Sequence, residues 1–120
     1  MAVSTGIDIV QVSRIKNLIE KQGDVFIKRI FSEEEIRYCL SKARSEESFA
    51  ARFAAKEAFY KAYAGAAKIF SMNELEIISR EGAPELKIAW KEKNLEEPKS
   101  MSVSLSHEKE YAIAIVLIEI

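Results

Sequence analysis

The sequence predicts an α+β fold, a single antiparallel sheet with helices packed on one of its faces. Three observations carry this expectation. Apolar residues recur at helical spacing through the first half of the chain, the second half turns to short β-like runs, and the last ten residues are almost continuously apolar. An order of strand, helices and then antiparallel strands is satisfied by laying the helices over one sheet. Repeats, low-complexity stretches and long linkers are absent, so residues 1–120 read as a single domain of ordinary size.

Ala2 to Val10 reads as a strand of mixed polarity, bent or interrupted at Gly6. Val12, Ile15, Leu18 and Ile19 follow at helical spacing, with Gly23 and Asp24 as the stop. Ser32-Glu33-Glu34-Glu35 matches a capping box, which starts a helix running to about Ala43. After a polar stretch a long helix is expected from about Glu46 to Ala64. Leu75–Ser79 and Leu86–Trp90 read as short strands, separated by a hairpin turn at Glu81-Gly82-Ala83-Pro84. Glu92 to Ser100 is a charged connector. Met101 to Ser106 alternates apolar and hydroxyl residues, the pattern of a half-buried strand, and Tyr111 to Ile120 reads as a central strand.

Composition narrows the function. Apolar residues make up 48% and charged residues 31%, which marks a folded rather than a disordered chain. The net charge of −1 argues against a general nucleic-acid or membrane-surface binder, and aromatic residues are scarce near the basic positions. The single cysteine, Cys39, cannot form an internal disulfide or a structural zinc site, and its spacing with Ile36 and Leu40 reads as a buried core thiol. No signal peptide and no membrane-spanning run is visible, so a reducing cytosol is the expected home.

Three segments carry candidate chemistry. In the long helix, Glu57 falls among Phe49, Ala50, Phe53, Ala54, Tyr60 and Ala64, with Lys61 one turn on. A carboxylate in an apolar sector needs a cation to neutralise it. That cation is either Lys61, in an ordinary i,i+4 pair, or a metal ion with Lys61 beside it reading phosphate. In Gly6-Ile7-Asp8-Ile9-Val10, Asp8 interrupts an apolar run; if Ile7 and Ile9 face the core, Asp8 faces the other way. Asp8 and Glu57 are hard oxygen donors of the kind Mg²⁺ takes, one or two at a time. Finally, Ser102, Ser104 and Ser106 share a strand face that ends at the only histidine, His107. That face either donates to phosphate or ribose oxygens or is a plain solvated surface. Neither a Gly-x-Ser-x-Gly elbow nor a glycine-rich nucleotide loop is present.

Together these segments resemble the holo-acyl-carrier-protein synthase family, the short group of 4′-phosphopantetheinyl transferases. The resemblance rests on Gly6-Ile7-Asp8-Ile9-Val10 with Arg14-Ile15, and on Arg52-Phe53-Ala54-Ala55-Lys56-Glu57-Ala58-Phe59-Tyr60-Lys61-Ala62. It rests also on Val103-Ser104-Leu105-Ser106-His107-Glu108 followed by Tyr111-Ala112-Ile113-Ala114, and it spans nearly the whole chain. It implies the 4′-phosphopantetheinyl transferase-like fold and transfer of phosphopantetheine from coenzyme A to a serine of an acyl carrier protein. That reaction is Mg²⁺-dependent, releases adenosine 3′,5′-bisphosphate and supports fatty-acid biosynthesis. By resemblance Asp8 and Glu57 hold the metal, Lys61 lies against the phosphates, and Arg52, Ser106 and His107 contact the coenzyme. The resemblance also implies a homotrimer with each site at a subunit boundary. A basic first helix would dock the acidic carrier, and here Arg14, Lys16, Lys21, Lys28 and Arg29 supply the charge with Leu18 as the apolar contact. One departure stands out: the family's glycine-rich loop after the long helix is Ala64-Gly65-Ala66-Ala67-Lys68 here. The alternative is a non-catalytic module that binds carrier protein or coenzyme A.

Overall fold

The structure is a computed structural model, and it describes residues 2–120. Five strands and five helices follow one another as β1 (Val3–Gln11), α1 (Val12–Gln22), α2 (Asp24–Ile30), α3 (Glu33–Leu40), α4 (Ser45–Ala62), α5 (Ala66–Ile69), β2 (Glu76–Arg80), β3 (Ala83–Lys87), β4 (Ser100–His107) and β5 (Tyr111–Glu119). The main sheet is antiparallel in the order β1-β5-β4, so the apolar C-terminal strand is central as expected. β2 and β3 form a separate two-stranded sheet. Helix α4 lies across β1 and β5, and the α+β architecture is the expected one with two sheets rather than one.

Several boundaries move for physical reasons. β1 runs unbroken through Gly6, which pairs with Val116. The missing Cβ serves the helix instead: one placed on Gly6 would lie 1.9 Å from Ala58 O and 2.8 Å from Ala62 N, so α4 seats directly on β1 backbone. Gly23, in the left-handed region at φ 55°, ends α1 and lets the chain restart as α2, an element the sequence did not announce. The helix at Ser32 carries both capping-box hydrogen bonds and stops at Leu40, short of Ala43. The β2–β3 turn is the two-residue Glu81-Gly82, both at positive φ, so Ala83 and Pro84 belong to the strand and residues 88–90 do not.

The core has two centres. Phe59, Tyr63, Phe70 and Trp90 pack ring to ring, with Phe59 and Tyr63 stacked at 5.7 Å. Cys39 is buried, and burial pushes its thiol up to about 12, an inert core group as anticipated. At the other centre Lys56, fully buried, donates to Glu35 Oε1 at 2.6 Å, Ile30 O at 2.7 Å and Met72 O at 2.9 Å. Glu35 in turn accepts from Ser32 N and Ile77 N. This pair ties α2, α3, α4 and β2 together with every polar hydrogen of the lysine used.

The main sheet is covered on one face only. Ala112, Ala114, Val116 and Ile118 of β5 are buried beneath α4. On the opposite face Ile7, Ile9, Tyr111, Ile113, Ile115 and Leu117 stay exposed, from 37% at Ile113 to 62% at Ile9. Ser102, Ser104 and Ser106 continue that outward face.

Candidate active site

The reversal of β1 places the first part of the site. Ile7 and Ile9 point outward, and Asp8 shares the inward face with Gly6 and Val10, against the expectation from its neighbours. The cause is the Gly6–α4 seam: the small and polar residues of β1 are the ones that fit beneath the helix. The Ser4 hydroxyl donates to Ala62 O along the same seam. Asp8 is thereby carried to the flank of α4 that bears Glu57 and Lys61.

Lys61 Nζ donates to Asp8 Oδ1 at 3.1 Å and to Ile7 O at 2.9 Å. The i,i+4 pair with Glu57 is therefore not the one that forms; Lys61 reaches across to the strand instead. Glu57 is half-buried, and burial first and the charge of Asp8 second hold its carboxyl above the usual carboxylate range. Lys61 and Arg14 act in the opposite sense without cancelling this. Arg14 lies with its guanidinium 5.8 Å from the Phe53 ring centroid. Two carboxylates repelling one another beside a helix flank are what a divalent cation relieves. Among the described residues no three potential ligands cluster, so the chain supplies two hard donors and leaves the rest of a shell to substrate and water.

Arg52 is elsewhere. It is 3% exposed, stacks over the Tyr38 ring at 4.0 Å and donates to Ser79 Oγ at 3.0 Å, while its Nε has no partner. The Ser79 hydrogen bond first, and Arg52 after it, hold the Tyr38 phenol below its ordinary range against the effect of burial. Arg52 lines a cavity of about 160 Å³ with Tyr38, Ser48, Ser79, Gly82, Pro84 and His107. His107 Nδ1 lies 3.0 Å from Glu47 Oε1. A guanidinium, a histidine and the three hydroxyl residues Tyr38, Ser48 and Ser79 lining one cavity form an anion-binding constellation.

Ser106 falls on the other side of the sheet. It lines an outward depression with Ile7, Ser104, Ile113 and Ile115, so Ser106 and His107 face opposite ways within one chain. The sequence thus named residues that the fold distributes over three surfaces. Of the basic set, Arg14, Lys16, Lys21, Lys28 and Arg29 are exposed on α1 and α2. Leu18 is instead partly buried against the core, and Val25 at 71% exposed is the apolar residue that projects. Sequence reasoning missed Val25 because α2 itself was not foreseen. It missed Tyr38, Glu47 and Ser79 because single polar residues on separate elements carry no periodic signal. Lys56 was detectable, being as deeply set among alanines and phenylalanines as Glu57. The substitute loop folds as Gly65 in the left-handed region at φ 82° followed by α5, with Lys68 exposed.

Comparison with known proteins agrees with this geometry. The chain is 44% identical to holo-acyl-carrier-protein synthase of Chloroherpeton thalassium over 98% of both chains. It is 41% identical to the protein of that name from Geobacter sulfurreducens, over 99% of this chain and 98% of the relative. Its fold superposes on an ACPS–CoA complex from Chronobacterium ammoniagenes with a TM-score of 0.83 at 27% identity, covering 99% and 98% of the two chains. A Bacillus anthracis holo-acyl-carrier-protein synthase in complex with CoA (3′,5′-ADP) gives 0.80 at 33% identity, with 98% of each chain covered. The model of the 4′-phosphopantetheinyl transferase superfamily matches residues 4–116, and the chain, an enzyme by that kinship, belongs to this family.

Proposed function

We propose that this protein transfers the 4′-phosphopantetheine arm of coenzyme A to a serine of an acyl carrier protein. It does so with Mg²⁺ held by Asp8 and Glu57, as a single-domain cytosolic trimer serving fatty-acid biosynthesis. The observation that carries this reading is the pair Asp8–Glu57, brought together across the Gly6 seam with Lys61 bonded to Asp8. Mg²⁺ bound there supplies charge neutralisation for the pyrophosphate.

The residues of the chain do the positioning. Lys61 spends two of its three polar hydrogens on Ile7 O and Asp8, which leaves one for a phosphate oxygen. Arg14 adds positive charge at the mouth of the same site. Arg52 and His107 take a phosphate of the coenzyme in the cavity that both of them line. The carrier serine oxygen then bonds to the β-phosphorus as its proton passes to water, the bond from that phosphorus to the bridging oxygen breaks, and the electron pair leaves on adenosine 3′,5′-bisphosphate. Phosphoryl transfer of this kind is mostly orientation and electrostatics, which these groups provide.

The dispersal of Ser106, His107 and the carboxylates favours sites shared between copies, and the bare apolar sheet face offers the surface to join them. The acidic carrier is met by the basic residues of α1 and α2, so its KM rises with salt.

Intact-protein mass spectrometry of an apo acyl carrier protein tests the reading. With this protein, coenzyme A and Mg²⁺ the carrier gains the mass of one phosphopantetheine arm, and chelator or Glu57→Ala abolishes the gain. A folded protein that binds carrier or coenzyme A yet gives no gain is the docking module instead.

A further inference from the structure

Glu47 lies in the first turn of α4 and is 6% exposed. A carboxylate can only accept hydrogen bonds, so at 3.0 Å from His107 Nδ1 it requires the hydrogen to be on that nitrogen. Arg44, one turn earlier, donates to the other oxygen of Glu47 at 3.4 Å and holds the carboxylate in place. Nδ1 is thereby committed, which leaves Nε2 as the ring nitrogen free to serve the cavity that His107 lines with Arg52, Ser48 and Ser79.

The consequence concerns the other ring nitrogen. With Nδ1–H given to Glu47, a neutral His107 presents a lone pair at Nε2, which repels a phosphate oxygen. Only the imidazolium presents Nε2–H. The titratable groups that bond to the ring or line the cavity with it are Glu47 and, through it, Arg44; Arg52 from the same helix; and Tyr38 from α3. The hairpin contributes Gly82 and Pro84, and β5 contributes Ala112 opposite His107, all uncharged. No second base is present among the described cavity residues to serve in place of His107.

We propose that Glu47 is a positioning residue of the transfer reaction, fixing His107 as the Nδ1–H form so that coenzyme binding requires a proton at Nε2. A phosphate in the cavity then sits on an imidazolium held between two anions, and binding takes up a proton wherever the free ring is neutral. This rests on the reading of the cavity as a coenzyme phosphate site.

Because His107 is the only histidine, its ring nitrogens give an unambiguous long-range ¹H–¹⁵N signal in the intact protein. In the free protein the neutral ring shows Nδ1–H; bound to adenosine 3′,5′-bisphosphate it shows both nitrogens protonated. Calorimetry of that binding, in two buffers of different ionisation heat above the ring's titration midpoint, reports uptake of close to one proton. Glu47→Leu reverts the neutral ring to Nε2–H, so the phosphate meets a neutral donor in place of an imidazolium: proton uptake falls to near zero, and losing the charge-assisted bond raises KM for coenzyme A about tenfold with kcat within about twofold. That change is roughly 1.4 kcal/mol of binding. Glu47→Gln, which keeps an acceptor oxygen, restores most of the loss. In a His107→Ala background Glu47→Leu adds nothing further, as two residues acting through one contact require. An Nε2–H tautomer in the parent protein, or full additivity of the two substitutions, overturns the role of Glu47 alone. A His107→Ala protein with unchanged KM for coenzyme A overturns the cavity's assignment, and the proposal with it.

Discussion

Replacing Gly6 by alanine tests the seam on which the site depends. The added methyl would stand 1.9 Å from Ala58 O, where ordinary contact begins at 3.4 Å, so strand and helix must part by about 1.5 Å. Both obstructing atoms, Ala58 O and Ala62 N, are backbone, and neither can rotate aside. Overpacking of a well-filled core costs about 1–3 kcal/mol, and rigid opponents place this case near the upper figure. For a chain of this size that lowers the Tm by roughly 10 °C. The same movement draws Asp8 away from Glu57, and a misplacement of about 1 Å costs on the order of 10²-fold in rate. Thermal unfolding followed by circular dichroism, with carrier modification measured well below the new Tm, gives both readings. Gly65→Ala is the control: it meets nothing within 4 Å and sits in the left-handed region at φ 82°, so it costs only about 1 kcal/mol of backbone strain. A Gly6→Ala protein that melts within about 2 °C of the parent and keeps its activity refutes the argument that this contact builds the site.

The other predictions concern the buried charges and the open sheet face. Lys56→Met leaves Glu35 buried and unpaired, so denaturant unfolding should show a loss of about 3–5 kcal/mol. Adding Glu35→Leu recovers only part of it, since Ser32 N and Ile77 N then lose their acceptor. The folded protein without Mg²⁺ holds the Glu57 proton above the pH at which the unfolded chain releases it. It therefore loses stability as pH rises out of the acidic range through that raised value, and Glu57→Gln removes this slope in pH-dependent melts while abolishing transfer. Ile113→Asp on the outward face should convert the proposed trimer to monomer in sedimentation equilibrium with the fold retained; a trimer that survives the substitution places the interface elsewhere.

How much of this was legible in the sequence depends on whether a signal is periodic. The spacing of α1 and α4, the Ser32 capping box and the alternation of β4 each repeat over several residues, and those elements appear close to where they were read. α2 is seven residues between a glycine and a strand-like Phe31, too short to show a period. The hairpin turn was read two residues too long because Pro84 reads locally as a turn residue, although it pairs with Ser79. At the site, Asp8, Glu57 and Lys61 stood out as charges inside apolar patterns. The Arg52 cavity did not, because its walls come from α3, α4, the β2–β3 hairpin and β4, and only folding assembles them.

The misread face of β1 is the more instructive case. Alternation divides Ser4, Gly6, Asp8 and Val10 from Val3, Thr5, Ile7 and Ile9, but it does not say which set meets the helix. The usual rule gives the helix the more apolar set. Here the helix takes the small and polar one, because only glycine admits backbone contact at Ala58 and only that face can bring Asp8 to Glu57. The isoleucines are turned outward beside Ile113, Ile115 and Leu117, where the chain alone offers them no cover. A strand whose hydrophobic residues face away from its own helix carries a charged site on one side and an open apolar surface on the other, the surface through which the proposed assembly would form. The proposed catalysis and assembly are in this way tied to a single choice of register, and a one-residue slip of β1 would remove both.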